Sequence, residues 1–260
     1  MNRELKRNSR RAGTTAGPFS ITSGSGPLFQ RVKLEVVKML SHEAYAAGQP
    51  IPTERELRDM FQVSVGTVRR AIDELVAERI LVRHQGRGTF LAQHGDSRMT
   101  SVFWRLVDRD GGQYVPLVQT LHFGPAVASA DCASALRLGS KDAVWQFRLL
   151  IVLDGKPVSV EHVTVPQQLF PHLDRDMISS RDRVNYALYQ EEFGVIVTRV
   201  EDMIGAVPAG ADHGRLLNIA PATPILEVVR TAFSIDERPV ELRRSVILTT
   251  DYRYKSCLPG

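Results

Sequence analysis

The chain has 260 residues, of which 43% are hydrophobic and 24% are charged, and its net charge is +4. This composition is typical of a soluble globular protein, and the length suffices for one large or two ordinary domains. No apolar run approaches the roughly 20 residues that a membrane-spanning helix needs. The N-terminal cations are not followed by the apolar segment of a secretory signal. We therefore expect a cytoplasmic protein without a membrane partner.

The first 26 residues are basic and poor in apolar side chains. They contain five Lys/Arg and one Glu, so this segment alone carries a net charge of +4. The stretch from Gly13 to Gly26 is rich in Gly, Ser and Thr, which predicts a disordered tail. A basic arm of this kind fits a polyanionic partner. An extension that only improves solubility fits the tail equally well.

Residues 27–92 show the pattern of three helices followed by a hairpin. Val32, Val36 and Leu40 recur at helical spacing and predict the first helix. The second helix, over about residues 54–61, follows a capping box formed by Thr53 and Glu56. The third helix begins after the N-cap candidate Ser64, and its predicted apolar face consists of Val68, Ile72 and Leu75.

The connections within this segment are short. Only Gln62 and Val63 separate the second helix from the N-cap of the third, so the two helices must cross steeply, as in a helix-turn-helix. Two strand-like runs, ILVRH and TFLA, then flank the Gly-bearing turn QGRG. This pattern predicts a small hairpin, or wing.

The start of the third helix has the chemistry of an anion site, because its free N–H groups point outward. Ser64 and Thr67 can hydrogen-bond phosphate or base edges, and Gly66 permits close approach of the helix end to a backbone. Arg69 and Arg70 lie off the apolar face and can reach phosphate or a guanine edge.

Further candidates lie in the second helix and in the wing. Arg55 can take an adjacent phosphate, while Gly86 and Arg87 suit a minor groove or a phosphate. Each of these residues alone is also consistent with an ordinary solvated surface. The order of helix, capped helix, tight turn, helix and wing is what favours DNA binding over that alternative.

The stretch PTERELRDMFQVSVGTVRRAIDELVAERILVRHQGRGTFLA resembles the winged helix-turn-helix of GntR-type bacterial transcription regulators. The resemblance implies a double-stranded DNA operator as partner. It places Arg55, Ser64, Thr67, Arg69 and Gly86 at DNA-contacting positions.

Position 65 departs from the family pattern. This family often has an Arg there that reads bases, whereas this chain has Val65. A valine can contact a thymine methyl group instead. We therefore expect an operator different from the family's usual one.

A second unit is predicted over residues 104–256, after a small and polar linker at 93–103. It contains two hairpins, and Asp154-Gly155 in the first is a strong turn signal. The hairpins share a spacing, since Arg148 and Arg230 each lie six residues before an Asp and a Pro follows three residues after that Asp. A duplicated structural unit explains this spacing, and so does convergence of turn residues.

The second unit resembles the effector domain of the HutC-like branch of the same family, also called UTRA. The resemblance rests on DGKPVSVE, LLNIAPATPILEVVRT and RPVELRRSV followed by DYRY. It implies an α+β protein: a winged helix-turn-helix joined to a chorismate-lyase-like α/β domain with a mostly antiparallel sheet. A small-molecule effector and a homodimer are also implied, and the motif positions correspond to Glu161, Arg230, Glu241 and Tyr252.

The effector motif is altered in this chain. The branch often carries an Arg-x-Arg pair that would fall at Leu149 and Ile151, both apolar here. Arg148 is one residue away and should face the other side of the sheet. We therefore expect a less anionic or more apolar effector than a phosphorylated sugar. A two-residue loop at Asp154-Gly155 would place Arg148 opposite Glu161, either as a cross-strand ion pair or as part of the effector site.

The sequence contains no recognisable catalytic, cofactor or metal motif. G-x-S-x-G, H-E-x-x-H and the P-loop are missing, and Cys132 and Cys257 predict free thiols rather than ligands. We therefore predict an effector-responsive transcription regulator that is not an enzyme, with a repressor favoured over an activator. An α/β ligand-binding protein or lyase-like enzyme with a protein-interacting first unit is the alternative. We further hypothesise that the effector changes the separation of two DNA-reading heads through the linker.

Overall fold

The computed structural model describes residues 26–42, 50–78, 80–92, 105–112, 115–179 and 185–256. Apart from Gly26, the predicted tail and the predicted linker at 93–103 lie outside these ranges. None of the described helices is long and apolar enough to cross a membrane.

The first unit contains the three predicted helices and the wing. The helices are α1 (Leu28–His42), α2 (Glu54–Phe61) and α3 (Val65–Ala77), and the wing consists of β1 (Leu81–His84) and β2 (Gly88–Leu91). The capping box is confirmed: the Thr53 N–H donates to Glu56 Oε2 over 2.7 Å, and the Glu56 N–H donates to Thr53 Oγ1. Gln62 adopts a left-handed conformation and ends α2, which produces the tight turn.

The three helices meet in one apolar core. The inward faces predicted for α1 and α3 are confirmed, and α2 adds Leu57 and Phe61, since all of the following residues are buried in a single cluster: Val32, Val36, Leu40, Leu57, Phe61, Val68, Ile72 and Leu75. Burying each such side chain stabilises the fold by about 1.5–3 kcal/mol. This core fixes the crossing of α2 and α3 and leaves the start of α3 at the surface.

The second unit is built on one six-stranded antiparallel sheet. The strands are β4 (Leu117–Val127), β5 (Ala143–Leu153), β6 (Lys156–Pro166), β7 (Val197–Pro208), β8 (Pro224–Ser234) and β9 (Pro239–Ile247). Their order across the sheet is β4-β5-β6-β9-β8-β7. Short strands β3 (Leu106–Asp108) and β10 (Tyr252–Tyr254) form a separate pair, and the helices are α4 (Ala130–Leu136), α5 (Arg175–Ser179), α6 (Asn185–Phe193) and α7 (Gly210–Leu217). The predicted α+β class with an antiparallel sheet is confirmed.

The sheet order supports duplication over chance convergence of the two hairpins. The segments β4-α4-β5-β6 and β7-α7-β8-β9 have the same order of elements. They lie side by side with β6 paired to β9. The strands therefore follow the same order from either edge of the sheet to its centre. Asp154 and Gly155, both with positive φ, form the predicted two-residue turn between β5 and β6.

The two faces of the sheet pack against different helices. The face that carries Phe147 and Leu149 packs on α6 through Tyr186 and Tyr189, both fully buried. The opposite face packs on α4 and α7, for example through Val144 and Val160 respectively. Side chains one residue apart on a strand therefore enter different environments.

The two units are in contact at the start of β7 and at the turn between β8 and β9. Ile196 and Ile235 belong to the same buried apolar cluster as α1 and α3. The backbone N–H of Ile235 donates to the carbonyl of Ile196 over 2.8 Å, which holds these two positions together. Gln190 Nε2 also donates to the carbonyl of Ala92, over 3.0 Å.

Candidate functional site

The first turn of α3 is a capped and exposed helix start. The Ser64 Oγ accepts the N–H of Thr67 over 3.1 Å and lies 2.8 Å from the Thr67 hydroxyl. Ser64 and Gly66 are exposed, and Val65 and Thr67 are partly buried. The positive end of the helix dipole is therefore presented to solvent together with two hydroxyl groups.

The two arginines of α3 are held in different ways. Arg69 Nε donates to Glu54 Oε2 over 3.0 Å, and Glu54 also pairs with Arg83 over 3.2 Å. Arg70 stacks on the Phe29 ring, with its guanidinium carbon 3.9 Å from the ring centroid. Exposed ion pairs are worth only about 0–1 kcal/mol. Glu54 can therefore orient Arg69 without preventing it from reaching a stronger anionic partner.

The wing lies next to the start of α2. Gly86 and Gly88 have φ angles of +73° and +116°, and this left-handed geometry lets the tip turn tightly. Arg87 at the tip lines an open cleft of about 900 Å³ together with Glu54. Arg55 is exposed at the start of α2. Because Glu54 contacts Arg69, the start of α2, the start of α3 and the wing form one continuous surface.

The residues that position this surface were not predicted from the sequence. Glu54 and Phe29 were not singled out, although each holds one of the two α3 arginines. An acidic residue in the first turn of α2 was the available signal, but only the folded arrangement brings it to Arg69 across 15 positions of sequence.

A buried charged network lies on the sheet face that packs against α6. Arg243 Nη1 donates to Glu161 Oε2 over 2.7 Å, while its Nε and Nη2 donate to the two carboxylate oxygens of Glu241, each over 2.9 Å. The hydroxyls of Tyr186 and Tyr189 also donate to Glu241, over 3.1 and 2.7 Å. Two carboxylates thus share one guanidinium in the interior.

A second cluster adjoins the first on the same face, because Arg230 and Arg243 are partners in the β8–β9 pairing. Arg230 donates from Nε and Nη2 to the two carboxylate oxygens of Asp202, over 2.7 and 3.0 Å. The Tyr254 hydroxyl contacts both Arg230 and Asp202, and Arg105 Nε lies 3.4 Å from Asp202 Oδ2. Here two guanidiniums share one carboxylate.

The network controls the protonation of its members. Burial disfavours the charge of Arg243, but Glu241 and Glu161 outweigh it and raise the pKa of Arg243 well above its usual value. Burial, followed by the charge of Glu241, raises the pKa values of Tyr186 and Tyr189. The arginine therefore stays charged and both tyrosines stay protonated hydrogen-bond donors at neutral pH.

The predicted effector residues are only partly brought together. Glu161, Arg230 and Glu241 lie on one face in the two adjoining clusters. Tyr252 packs instead in the main apolar core of the second unit. The hydroxyl that reaches Arg230 belongs to Tyr254, two residues further along the chain.

The predicted pairing of Arg148 with Glu161 is wrong. A bulge between Ile151 and Val152 shifts the register, so Arg148 lies opposite His162 and Leu149 lies opposite Glu161. Arg148 instead pairs with Asp212 of α7 on the other face of the sheet, away from Glu161. It lines a separate cleft with His122 and His162, so it is not part of the charged network.

Three further features of the network face can be compared with what the sequence predicted. Leu149 and Ile151 are both buried on this face, as expected for the positions of the missing arginine pair. Asn185, next to Tyr186, is buried, and its Nδ2 has no hydrogen-bond partner in the part of the chain that the structure describes. Arg243, at the centre of the network, was missed because one more Arg in a strand carries no distinctive pattern.

An exposed helix start and wing on a three-helix head, joined to a single-sheet domain with buried charges, define a two-domain DNA-binding regulator. The UTRA domain family matches residues 112–253, and the family of bacterial regulatory proteins called gntR matches residues 28–91. The UTRA match alone covers more than half of the chain, which therefore belongs to the UTRA-containing regulators of the GntR family.

Several known proteins are similar over most of their length. The mannosyl-D-glycerate transport/metabolism system repressor MngR of Escherichia coli is 28% identical, over 89% of this chain and 95% of its own. The histidine utilization repressor of Pseudomonas putida is 27% identical, over 86% and 88%. The solved ligand-binding domain of a regulator assigned to the GntR family, from Bordetella bronchiseptica, is 28% identical, with a TM-score of 0.57 over 60% of this chain and 98% of that one.

Proposed function

We propose that this regulator represses transcription by binding an operator through the start of α3, the start of α2 and the wing. The exposed, capped first turn of α3, with Arg69 and Arg70 one turn further, is the observation that carries the proposal. A helix start of this kind offers N–H groups, hydroxyls and guanidiniums to phosphate and base edges. Repression agrees with the names of the relatives from Escherichia coli and Pseudomonas putida.

Salt dependence of operator binding tests the proposal. If each of two copies neutralises about three phosphates, the logarithm of affinity should fall with the logarithm of salt concentration with a slope near −5. The measurement is a titration of labelled upstream DNA at several salt concentrations, with scrambled DNA of equal length as control. Equal binding to both DNAs at every salt concentration would contradict sequence-specific regulation.

Val65→Arg should change the preferred operator sequence more than the affinity for DNA in general. Val65 is partly buried at the first position of α3, where an arginine can make a bidentate contact worth about 1–3 kcal/mol of discrimination between bases. Selection from randomised DNA, with wild type and variant in parallel, measures the change. Ala77→Arg adds the same charge at the far end of α3 and should leave the preference unaltered; an unaltered preference for Val65→Arg would show that position 65 does not read bases.

The effector is proposed to bind at the charged network and the apolar positions beside it. The cluster around Arg243 has one more carboxylate than guanidinium, and the cluster around Arg230 has one more guanidinium than carboxylate. Leu149 and Ile151 occupy the same face, and Asn185 offers a buried donor. This combination favours a small neutral or zwitterionic molecule over a phosphorylated one.

The arrangement also supports a route from effector to DNA. Asp202 of β7 and Arg230 of β8 belong to the network, and the ends of the same strands carry Ile196 and Ile235, which pack with the DNA-binding head. An effector that changes the Asp202–Arg230 contact would act on elements that touch the head. We propose that two copies form a cytoplasmic homodimer and that the protein is not an enzyme. We further propose that an effector that prefers one separation of the two DNA-binding heads controls the affinity for the operator.

A further inference from the structure

Helices α1 and α3 run in the same direction, which places the start of α1 beside the start of α3. The centroid of the Phe29 ring of α1 lies 3.9 Å from the guanidinium carbon of Arg70. One turn further along both helices, Lys33 Nζ lies 3.5 Å from Glu74 Oε2. Contacts that advance in step along two helices mean that the helices have the same direction. The beginning of α1 therefore lies at the end of the head that carries the proposed DNA-binding surface.

The chain enters the head at this same end. Gly26 and Pro27 are both exposed. Each residue of a helix advances by about 1.5 Å, so Gly26 is displaced from Phe29 by roughly 4–5 Å toward the start of α3. Because Phe29 is level with Arg70, Gly26 is level with about Thr67. Residues 1–25 are thus attached directly beside the first turn of α3.

Residues 1–25, the N-terminal segment, are strongly basic and lie outside the described ranges. Their net charge is +4, as large as that of the whole chain, whereas residues 27–92 have ten Lys/Arg and eight Asp/Glu. The segment contains one acidic residue, Glu4, and five basic ones: Arg3, Lys6, Arg7, Arg10 and Arg11. Arg11 is 15 residues from Gly26, and a chain of this length spans up to about 50 Å. These cations can therefore reach phosphates outside the base pairs that α3 contacts.

The described part of the head leaves no carboxylate unpaired for these cations. Lys33 pairs with Glu78 as well as with Glu74. The other described carboxylates of the head have these partners: Lys38 for Glu35, Arg69 and Arg83 for Glu54, Thr53 for Glu56, Arg58 for Asp59, and Arg83 for Asp73. The N-terminal segment would have to displace these partners in order to bind the head. Its charge is therefore available to a polyanion outside the head.

We propose that the N-terminal segment binds the phosphate backbone of the DNA that flanks the operator. This inference rests on the proposed operator binding and adds a second contact that does not depend on base sequence. Lys and Arg side chains that neutralise phosphates release counterions, and each phosphate contributes about 0.9 to the salt slope of binding. Phosphate contacts carry no base information. The segment therefore raises the affinity for any DNA, while α3 and the wing select the sequence.

Replacing all five cations of the segment with glutamine tests the proposal in the full chain. The changes are Arg3→Gln, Lys6→Gln, Arg7→Gln, Arg10→Gln and Arg11→Gln. One phosphate contact per segment in two copies accounts for a slope of about 2, so the plot of log affinity against log salt should become less steep by about 2 or more. Near 0.1 M salt, we expect binding to labelled operator and to scrambled DNA to weaken alike, by about tenfold or more.

The matched control replaces arginine with lysine at the same positions: Arg3→Lys, Arg7→Lys, Arg10→Lys and Arg11→Lys. It keeps the length and the charge of the segment, so it should retain the affinity and the salt slope of the wild type. Neither variant alters a described residue. An unchanged slope with the glutamines, tighter binding with the glutamines, a loss confined to the operator, or an equal loss with the lysines would each overturn the proposal.

The same titrations separate this proposal from the proposed function. A wild type that binds operator and scrambled DNA equally would contradict sequence-specific regulation. A wild type that prefers the operator, with a salt slope that the glutamines leave unchanged, would refute only the contact of the N-terminal segment with DNA.

Discussion

Replacing Arg243 with leucine is expected to destabilise the second unit by about 3–5 kcal/mol. The substitution leaves Glu161 and Glu241 buried without their shared guanidinium. Such carboxylates must either remain charged in a poorly polar interior or bind protons, and both outcomes favour the unfolded chain. Denaturant unfolding followed by tryptophan fluorescence measures the loss, since Trp145 packs against the same core.

Arg244→Leu is the matched control for this experiment. Arg244 is the next residue of β9, but its side chain is 60% exposed on the other face and 3.5 Å from Glu227. An exposed ion pair contributes about 0–1 kcal/mol, so this variant should unfold nearly as the wild type does. Similar losses for the two variants would mean that the charged network does not stabilise the sheet.

Arg69→Ala is expected to weaken specific operator binding by about 10- to 100-fold, equivalent to about 1–3 kcal/mol. Arg69 is exposed one turn into α3, and its partner in the free protein, Glu54, holds it near the start of the helix. Binding isotherms on specific and scrambled DNA measure the change. If Arg69 contacts a base, the complex with specific DNA should lose more affinity than the complex with scrambled DNA. If Arg69 contacts a phosphate, both complexes should lose the same affinity, and the salt slope should fall by about one.

Arg58→Ala is the control for Arg69→Ala, because each variant removes one positive charge from the head. Arg58 is in α2 of the same head, and it donates twice to its neighbour Asp59, over 2.8 and 2.9 Å. Arg58 does not belong to the proposed DNA-binding surface, so its replacement should change the affinity for DNA by less than about threefold. If the two variants lose the same affinity, Arg69 contributes only general charge.

The head of the protein could be predicted closely because its signals are local. Thr53 and Glu56 are three residues apart and cap α2 as expected, and Ser64 caps α3 in the same way. The turn at Asp154-Gly155 was also predictable, since the conformations of two residues decide it. Helix caps and tight turns depend on neighbours within a few positions.

The charged network could be predicted only in part. Glu161, Arg230 and Glu241 were selected by resemblance, but neither the central role of Arg243 nor the contact of Tyr254 with Arg230 was foreseen. The contact of Tyr254 with Arg230 and that of Arg243 with Glu161 join residues that are 24 and 82 positions apart in the chain. Such distances are set by the order of strands in the sheet, which no local pattern encodes.

Sequence alone determined that this chain has a winged helix-turn-helix head, an antiparallel α+β domain and a polar motif on its hairpins. Tertiary structure decided which side of the sheet each motif residue occupies. One additional residue at the bulge beside Val152 moved Arg148 opposite His162, where Glu161 had been expected. Because side chains alternate along a strand, a shift of one position in a pairing places a residue in a different environment.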